Sequence, residues 1–79
     1  MIGIVLKNIR KMRGLTQNYV GKKVGLAENT ISNYETEISN PNFDNIYKIL
    51  SVCDFDIEFV DKENGEHYSI EELSKEMDF

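Results

Sequence analysis

"VGLAENTISNYETE", residues 24–37, decides how the rest of the chain is read. Gly25 takes positive φ cheaply and suits a turn. After it, "ENTISNYE" sets Ile31 and Tyr34 three positions apart, on the inward face of a short helix. Glu28, Asn29, Thr30, Ser32 and Asn33 are left to the other faces. Ala27 is a poor N-cap, partly offset by Glu28 in the first turn, where a negative charge opposes the helix dipole. The stretch therefore predicts a turn followed by a polar helix suited to probing a partner's surface. Yet it holds three glutamates and no lysine or arginine.

Toward the N-terminus, "QNYVGKKV" reads as a helix capped by Thr16, with Val20 and Val24 inward, ending at Gly25. Before it, "IGIVLKNIRKMRG" has apolar residues at 2, 5, 6 and 9 with basic residues between them, the spacing of an amphipathic helix that stops at Gly14. Toward the C-terminus, "TEISNPN" reads as a loop, since Asn-Pro disfavours helix and Asn42 is placed to cap the next helix. That helix is "FDNIYKILSVC", with Phe43, Ile46, Ile49, Leu50 and Cys53 inward. Beyond Asp54 the period changes. "DIEFVD" alternates apolar and acidic residues, "KENGE" supplies an Asn-Gly turn, and "HYSI" returns as a second strand. Ser69 and Glu72 have the spacing of a capping box before Leu73 and Met77, which predicts a short terminal helix.

Seventy-nine residues make one small domain, too small to enclose a large active-site cleft. At 41% hydrophobic and 29% charged the composition is that of a soluble globular protein. No apolar run approaches the roughly 18 residues of a membrane span, and the N-terminal run lacks a signal-peptide cleavage site. An intracellular, cytoplasmic protein without membrane contact is expected. Cys53 is the only cysteine, which excludes an internal disulfide or a multi-cysteine metal site, and it reads as a small buried hydrophobe. His67, also alone, reads as a surface residue. No paired carboxylates, activated nucleophile or phosphate-binding glycine loop suggests an enzyme, and no cofactor is implied.

The net charge of −5 would count against a nucleic-acid partner if it were evenly spread. It is not. Residues 1–50 hold seven basic and four acidic residues, a balance of +3, whereas residues 51–79 hold two basic and ten acidic, a balance of −8.

Two short helices joined by a turn at Gly25, beside a basic first helix, meet the physical description of a helix-turn-helix. The run "LKNIRKMRGLTQNYVGKKVGLAENTISNYETEISNPNFDNIYKIL" resembles the helix-turn-helix of the Xre/Cro/CI family, the phage-repressor type of bacterial transcription regulator. The resemblance covers residues 6 to about 55 and includes Arg10, Leu15-Thr16-Gln17, Gly25, Ile31, Tyr34-Glu35 and Pro41. It implies a mainly α fold, a compact four-to-five-helix lambda-repressor-like DNA-binding domain over residues 1–55. The residues themselves add a C-terminal β-hairpin or strand and a short terminal helix, an acidic extension over 56–79.

The resemblance also implies roles. Arg10 pairs with Glu35 to tie the first helix to the third, a structural use rather than a DNA contact. Gly21 stands where the family prefers alanine, since two helices cross closely there; glycine keeps that clearance but costs roughly 1 kcal/mol of helix propensity. Base reading falls to Ala27, Glu28, Asn29, Thr30 and Asn33: Asn pairs bidentately with adenine, Glu accepts from cytosine, and Ala or Thr touches a thymine methyl. The alternative for Thr30 or Asn33 taken singly is simple solvation. Phosphate contact falls to Gln17 and Asn18 at the start of the second helix, and to Ser39, Asn40 and Asn42 as neutral donors in the following loop. Lys22 and Lys23, with Lys7, Lys11 and Arg13, add longer-range attraction or are solvated surface cations. Glu37 departs from the family's glycine, so the third helix is expected to lack an easy left-handed end and to bring negative charge to the DNA-facing loop.

The expected partner is double-stranded DNA, bound by a homodimer. Phe55, Ile57, Phe59 and Val60 either form the dimer contact or cover the chain's own core. The alternative is a protein-interaction module, as in antitoxins built on this fold, whose acidic C-terminal segment engages a protein partner.

Overall fold

Helix α1 spans Ile2–Met12, α2 Gln17–Val24, α3 Glu28–Glu35 and α4 Phe43–Val52 in a computed structural model that describes residues 1–78. Strands β1 (Glu58–Val60) and β2 (His67–Ser69) come next, and α5 (Ile70–Leu73) ends the ordered elements. The expected mainly helical fold with a C-terminal hairpin and short last helix is what the chain adopts. No helix among the described residues is long and apolar enough to cross a membrane.

The core is where the apolar stripes of α1 to α4 meet. Leu6, Val20, Ile31, Tyr34, Ile49, Leu50 and Cys53 are buried, with Ile2, Ile9, Leu15, Val24, Leu26 and Ile46 packed around them. Two expected inward residues lie outside. Val5 precedes Leu6 by one position, about 100° around the helix, and is left at the rim while Gly3 turns inward instead. Phe43, in the first turn of α4, lies beyond the residues that cover Ile46 and Ile49 and is half exposed.

The ends of the helices are set by the expected side chains. Thr16 accepts from the Tyr19 amide at 3.0 Å and Asn42 from the Asn45 amide at 2.8 Å. Gly25 closes α2 at φ 75°. A β-carbon on Gly21 would lie 2.6 Å from the Leu26 carbonyl oxygen, so the α2–α3 turn approaches more closely than alanine would permit. Ala27 makes no side-chain cap, as its chemistry requires.

The end of α3 differs from expectation. Glu37 takes the left-handed conformation at φ 63° despite its β-carbon. The Glu37 amide donates to the Tyr34 carbonyl and the Ile38 amide to the Asn33 carbonyl, the two bonds of a Schellman closure. Its carboxylate turns to the start of α1, where it accepts from the Met1 amino group. That bond and the charge of the amino group hold the carboxyl below the usual range. The negative charge expected to face the loop is thus largely answered at the N-terminus of α1. Gly3 makes the junction possible, since a β-carbon there would fall 2.0 Å from the Tyr34 carbonyl oxygen.

In the hairpin, Glu58, Phe59 and Val60 pair antiparallel with Ser69, Tyr68 and His67. The loop is longer than a two-residue Asn-Gly turn: it runs over residues 62–65, with Gly65 at φ 76° and its amide bonded to the Asp61 carbonyl. Ser69 and Glu72 form the reciprocal capping box, although α5 is a single turn and Met77 lies beyond it. Tyr47 on α4 donates to Glu71 on α5 at 2.7 Å, a bond from the helical body to the extension. The molecule measures 42 × 22 × 22 Å, with a radius of gyration of 14.3 Å. A compact chain of this length has about 12 Å.

Candidate nucleic-acid interface

The interface begins with a buried ion pair. Arg10 Nε donates to Glu35 Oε2 at 2.6 Å and Nη2 to Oε1 at 2.8 Å, while Nη1 donates to the Leu15 carbonyl at 2.7 Å. One guanidinium therefore ties α1 to the end of α3 and to the entry of α2. Gln17 Nε2 adds a third bond to the same carboxylate at 3.0 Å. Burial pushes the Glu35 carboxyl up, but the bonds from Arg10 and Gln17 and the attraction of Arg10 and Lys7 outweigh it and hold the group below the usual range. The bond to Glu35 raises the Arg10 guanidinium above its ordinary value.

With Ile31, Tyr34 and Glu35 held inside, α3 turns its remaining residues outward. Ala27, Glu28 and Asn29 are exposed around the first turn, and Thr30 and Asn33 are half-buried on the flank. Asn18 Nδ2 donates to Glu28 Oε2 at 3.3 Å, so one expected phosphate contact sits against one expected base reader. Gln17 lies beside them, although its amide is already engaged with Glu35.

The loop after α3 is held as firmly. The Asn33 carbonyl accepts from both the Ile38 and Ser39 amides, and Tyr34 accepts at its hydroxyl from Asn45 Nδ2 at 3.1 Å. Ser39, Asn40 and Asn42 are exposed there, with the Asn42 side-chain oxygen spent on its cap.

Other expected residues are deployed differently. Lys22 and Lys23 occupy the last turn of α2, Lys23 lying 5.5 Å over the Tyr19 ring. Arg13, read as a diffuse cation, donates to the Cys53 carbonyl at 2.8 Å and stacks 4.5 Å over Phe55, which caps the end of α4. Phe55 and Ile57 pack against the chain's own core, whereas Phe59 and Val60 are 45% and 53% exposed. Cys53 is buried, which raises its thiol, and His67 is exposed beside Glu58.

Four residues carry contacts that spacing did not reveal: Gln17, Asn18, Arg13 and Glu37. Each meets a partner 10 to 40 positions away. Gly3 was the one available signal, a residue without a side chain in the apolar face of a helix.

A short helix braced by a buried ion pair, presenting small and amide side chains outward from a turn, is the geometry of a helix-turn-helix, the class of DNA-binding regulators to which comparison with known proteins assigns the chain. A family model described as Helix-turn-helix matches residues 6–60. The chain is 31% identical over 71 residues to Antitoxin HipB of Escherichia coli (strain K12), covering 90% of this chain and 81% of that protein. It is 30% identical over 71 residues to Antitoxin HipB of Escherichia coli O6:H1, covering 90% of this chain and 76% of that one. No solved structure matches at a significant level. The chain belongs to the Xre/Cro/CI-type helix-turn-helix family.

Proposed function

We propose that the chain is a sequence-specific transcriptional repressor that acts as a homodimer, each copy inserting α3 into the major groove of a near-palindromic operator. The observation that carries this reading is the partition of α3. Every residue large and apolar enough to pack is inside, and Ala27, Glu28, Asn29, Thr30 and Asn33 face out or lie on the flank. Asn29 and Asn33 read adenine, and Glu28, oriented by Asn18, accepts from cytosine N4. Gln17, Asn18, Ser39, Asn40 and Asn42 line the phosphate backbone, with Lys22 and Lys23 adding attraction from further off. Paired α3 helices would enter successive major grooves about 34 Å apart. Residues 1–55 do the reading, and 56–79 join the copies, with Phe59 and Val60 at the contact and Phe55 and Ile57 anchoring the strand to the body.

The decisive experiment selects bound sequences from random DNA with the native chain, with Asn29→Ala and with Asn33→Ala. Specificity should relax at one or two positions per variant, with a loss of about 1 to 3 kcal/mol each. An unchanged motif would move base reading elsewhere, and no preferred sequence even at low salt would end the proposal.

A second reading has its own support. The similarity to Antitoxin HipB covers 90% of the chain, and ten acidic residues follow residue 50. An antitoxin-like role would have the acidic segment engage a protein partner. If a pull-down from the native host returns only DNA, and truncation at Asp61 changes nothing, this second role is lost.

A further inference from the structure

Away from α3, helices α2 and α4 border an open groove of about 480 Å³ lined by Lys23, Val24, Tyr47, Lys48, Ser51 and Val52. Val24 and Val52 are its half-buried apolar floor, and two ammonium groups stand on its walls. Among the described residues neither lysine has a carboxylate within ion-pair distance, although the chain carries fourteen acidic side chains. A cationic groove with an apolar floor suits an acidic segment that carries apolar residues.

We infer that this groove receives the acidic C-terminal segment of a second copy of the chain, residues 70–78. That segment holds Glu71, Glu72, Glu76 and Asp78 against one base, Lys75. Leu73 and Met77, 41% and 51% exposed, are four positions apart. Glu76 and Asp78 flank Met77 beyond the single turn of α5. That pattern of two apolar and two acidic groups complements two valines and two lysines. The chemistry is already visible within one chain, where Glu71 accepts from Tyr47, a wall of the groove. Yet residues 74–78 of that same chain remain exposed. A single copy thus holds Glu71 and Glu72 in bonds of its own but leaves Leu73, Glu76, Met77 and Asp78 exposed beside an open groove, the condition for a reciprocal, twofold exchange of these ends. No α3 residue lines the groove, and although Lys23 is shared with the cations proposed to attract DNA, the test contains no DNA.

The test uses a fluorescent peptide of residues 69–79 titrated with the full chain at low salt and followed by anisotropy. Saturable binding is expected, weakened about tenfold or more by Lys23→Glu with Lys48→Glu in the chain. It should return when that chain meets a peptide carrying Glu76→Lys and Asp78→Lys, which leaves the Ser69–Glu72 capping box intact. Both lysines are solvent-exposed, and an unchanged thermal melt establishes that the reversed chain is folded. No saturable binding by chain diluted until sedimentation shows it monomeric, binding indifferent to the reversal, or loss without recovery by the reversed peptide each overturns the inference. A groove already filled by its own chain's tail would take no peptide and fails the same test.

Discussion

Arg10 and Glu35 are 8% and 5% exposed, and between them they join three helices, so neither tolerates the loss of the other. Glu35→Gln leaves a buried guanidinium without its counter-charge and should lower stability at pH 7 by about 3 kcal/mol in urea denaturation. The pH dependence is set by the direction of the shift. Because folding lowers the Glu35 carboxyl below its usual 4.5, the unfolded chain binds more protons in the acid range. The stabilisation is complete above that usual value and is lost as pH falls through the lowered one. The native melting temperature should therefore drop steeply below about pH 4.5, and Glu35→Gln should show a shallower fall. The pair itself was legible from the motif. Its third member was not, because nothing in the spacing of Gln17 and Glu35 says that the amide turns inward. The same holds for Asn18 and Glu28, each marked for DNA contact while their bond to one another went unseen.

Helix ends show the same division between what is local and what is not. Thr16, Asn42 and the Ser69–Glu72 box could be read directly, since a cap and its amide lie within three residues. Glu37 could not, because the group that it binds is 36 positions earlier, the Met1 amino group. Its side chain holds the start of α1 while its backbone sits where a β-carbon is unfavourable. Two substitutions separate these effects. Glu37→Ala loses the contact and keeps the left-handed strain, whereas Glu37→Gly loses the contact and relieves it. The glycine variant should melt about 5 °C above the alanine variant. Equal melting temperatures would mean that the loop relaxes to another conformation. Phe43 teaches a related lesson: the period of α4 put it on the inward stripe, but a helix can run past the elements that cover it.

The two charge regions separated cleanly in the sequence, but the placement of the acidic one did not. The extension joins the body at Tyr47–Glu71 and through Phe55 and Ile57, and the molecule is about twice as long as it is wide. Its field opposes the approach of phosphate. Replacing two exposed acids, Glu76→Lys with Asp78→Lys, should tighten binding to random-sequence DNA about threefold or more at low salt, with the gain vanishing as salt screens it. A gain that persists at high salt would point to a new direct contact. Cys53 gives the chain an internal clock. The residue, 1% exposed at the end of α4 with its own carbonyl held by Arg13, is reachable by an alkylating reagent only when that end of the core opens. Modification should run about a thousandfold or more slower than for a free thiol. Its acceleration by urea would then time how often the core comes apart in an otherwise native population, without attaching any probe.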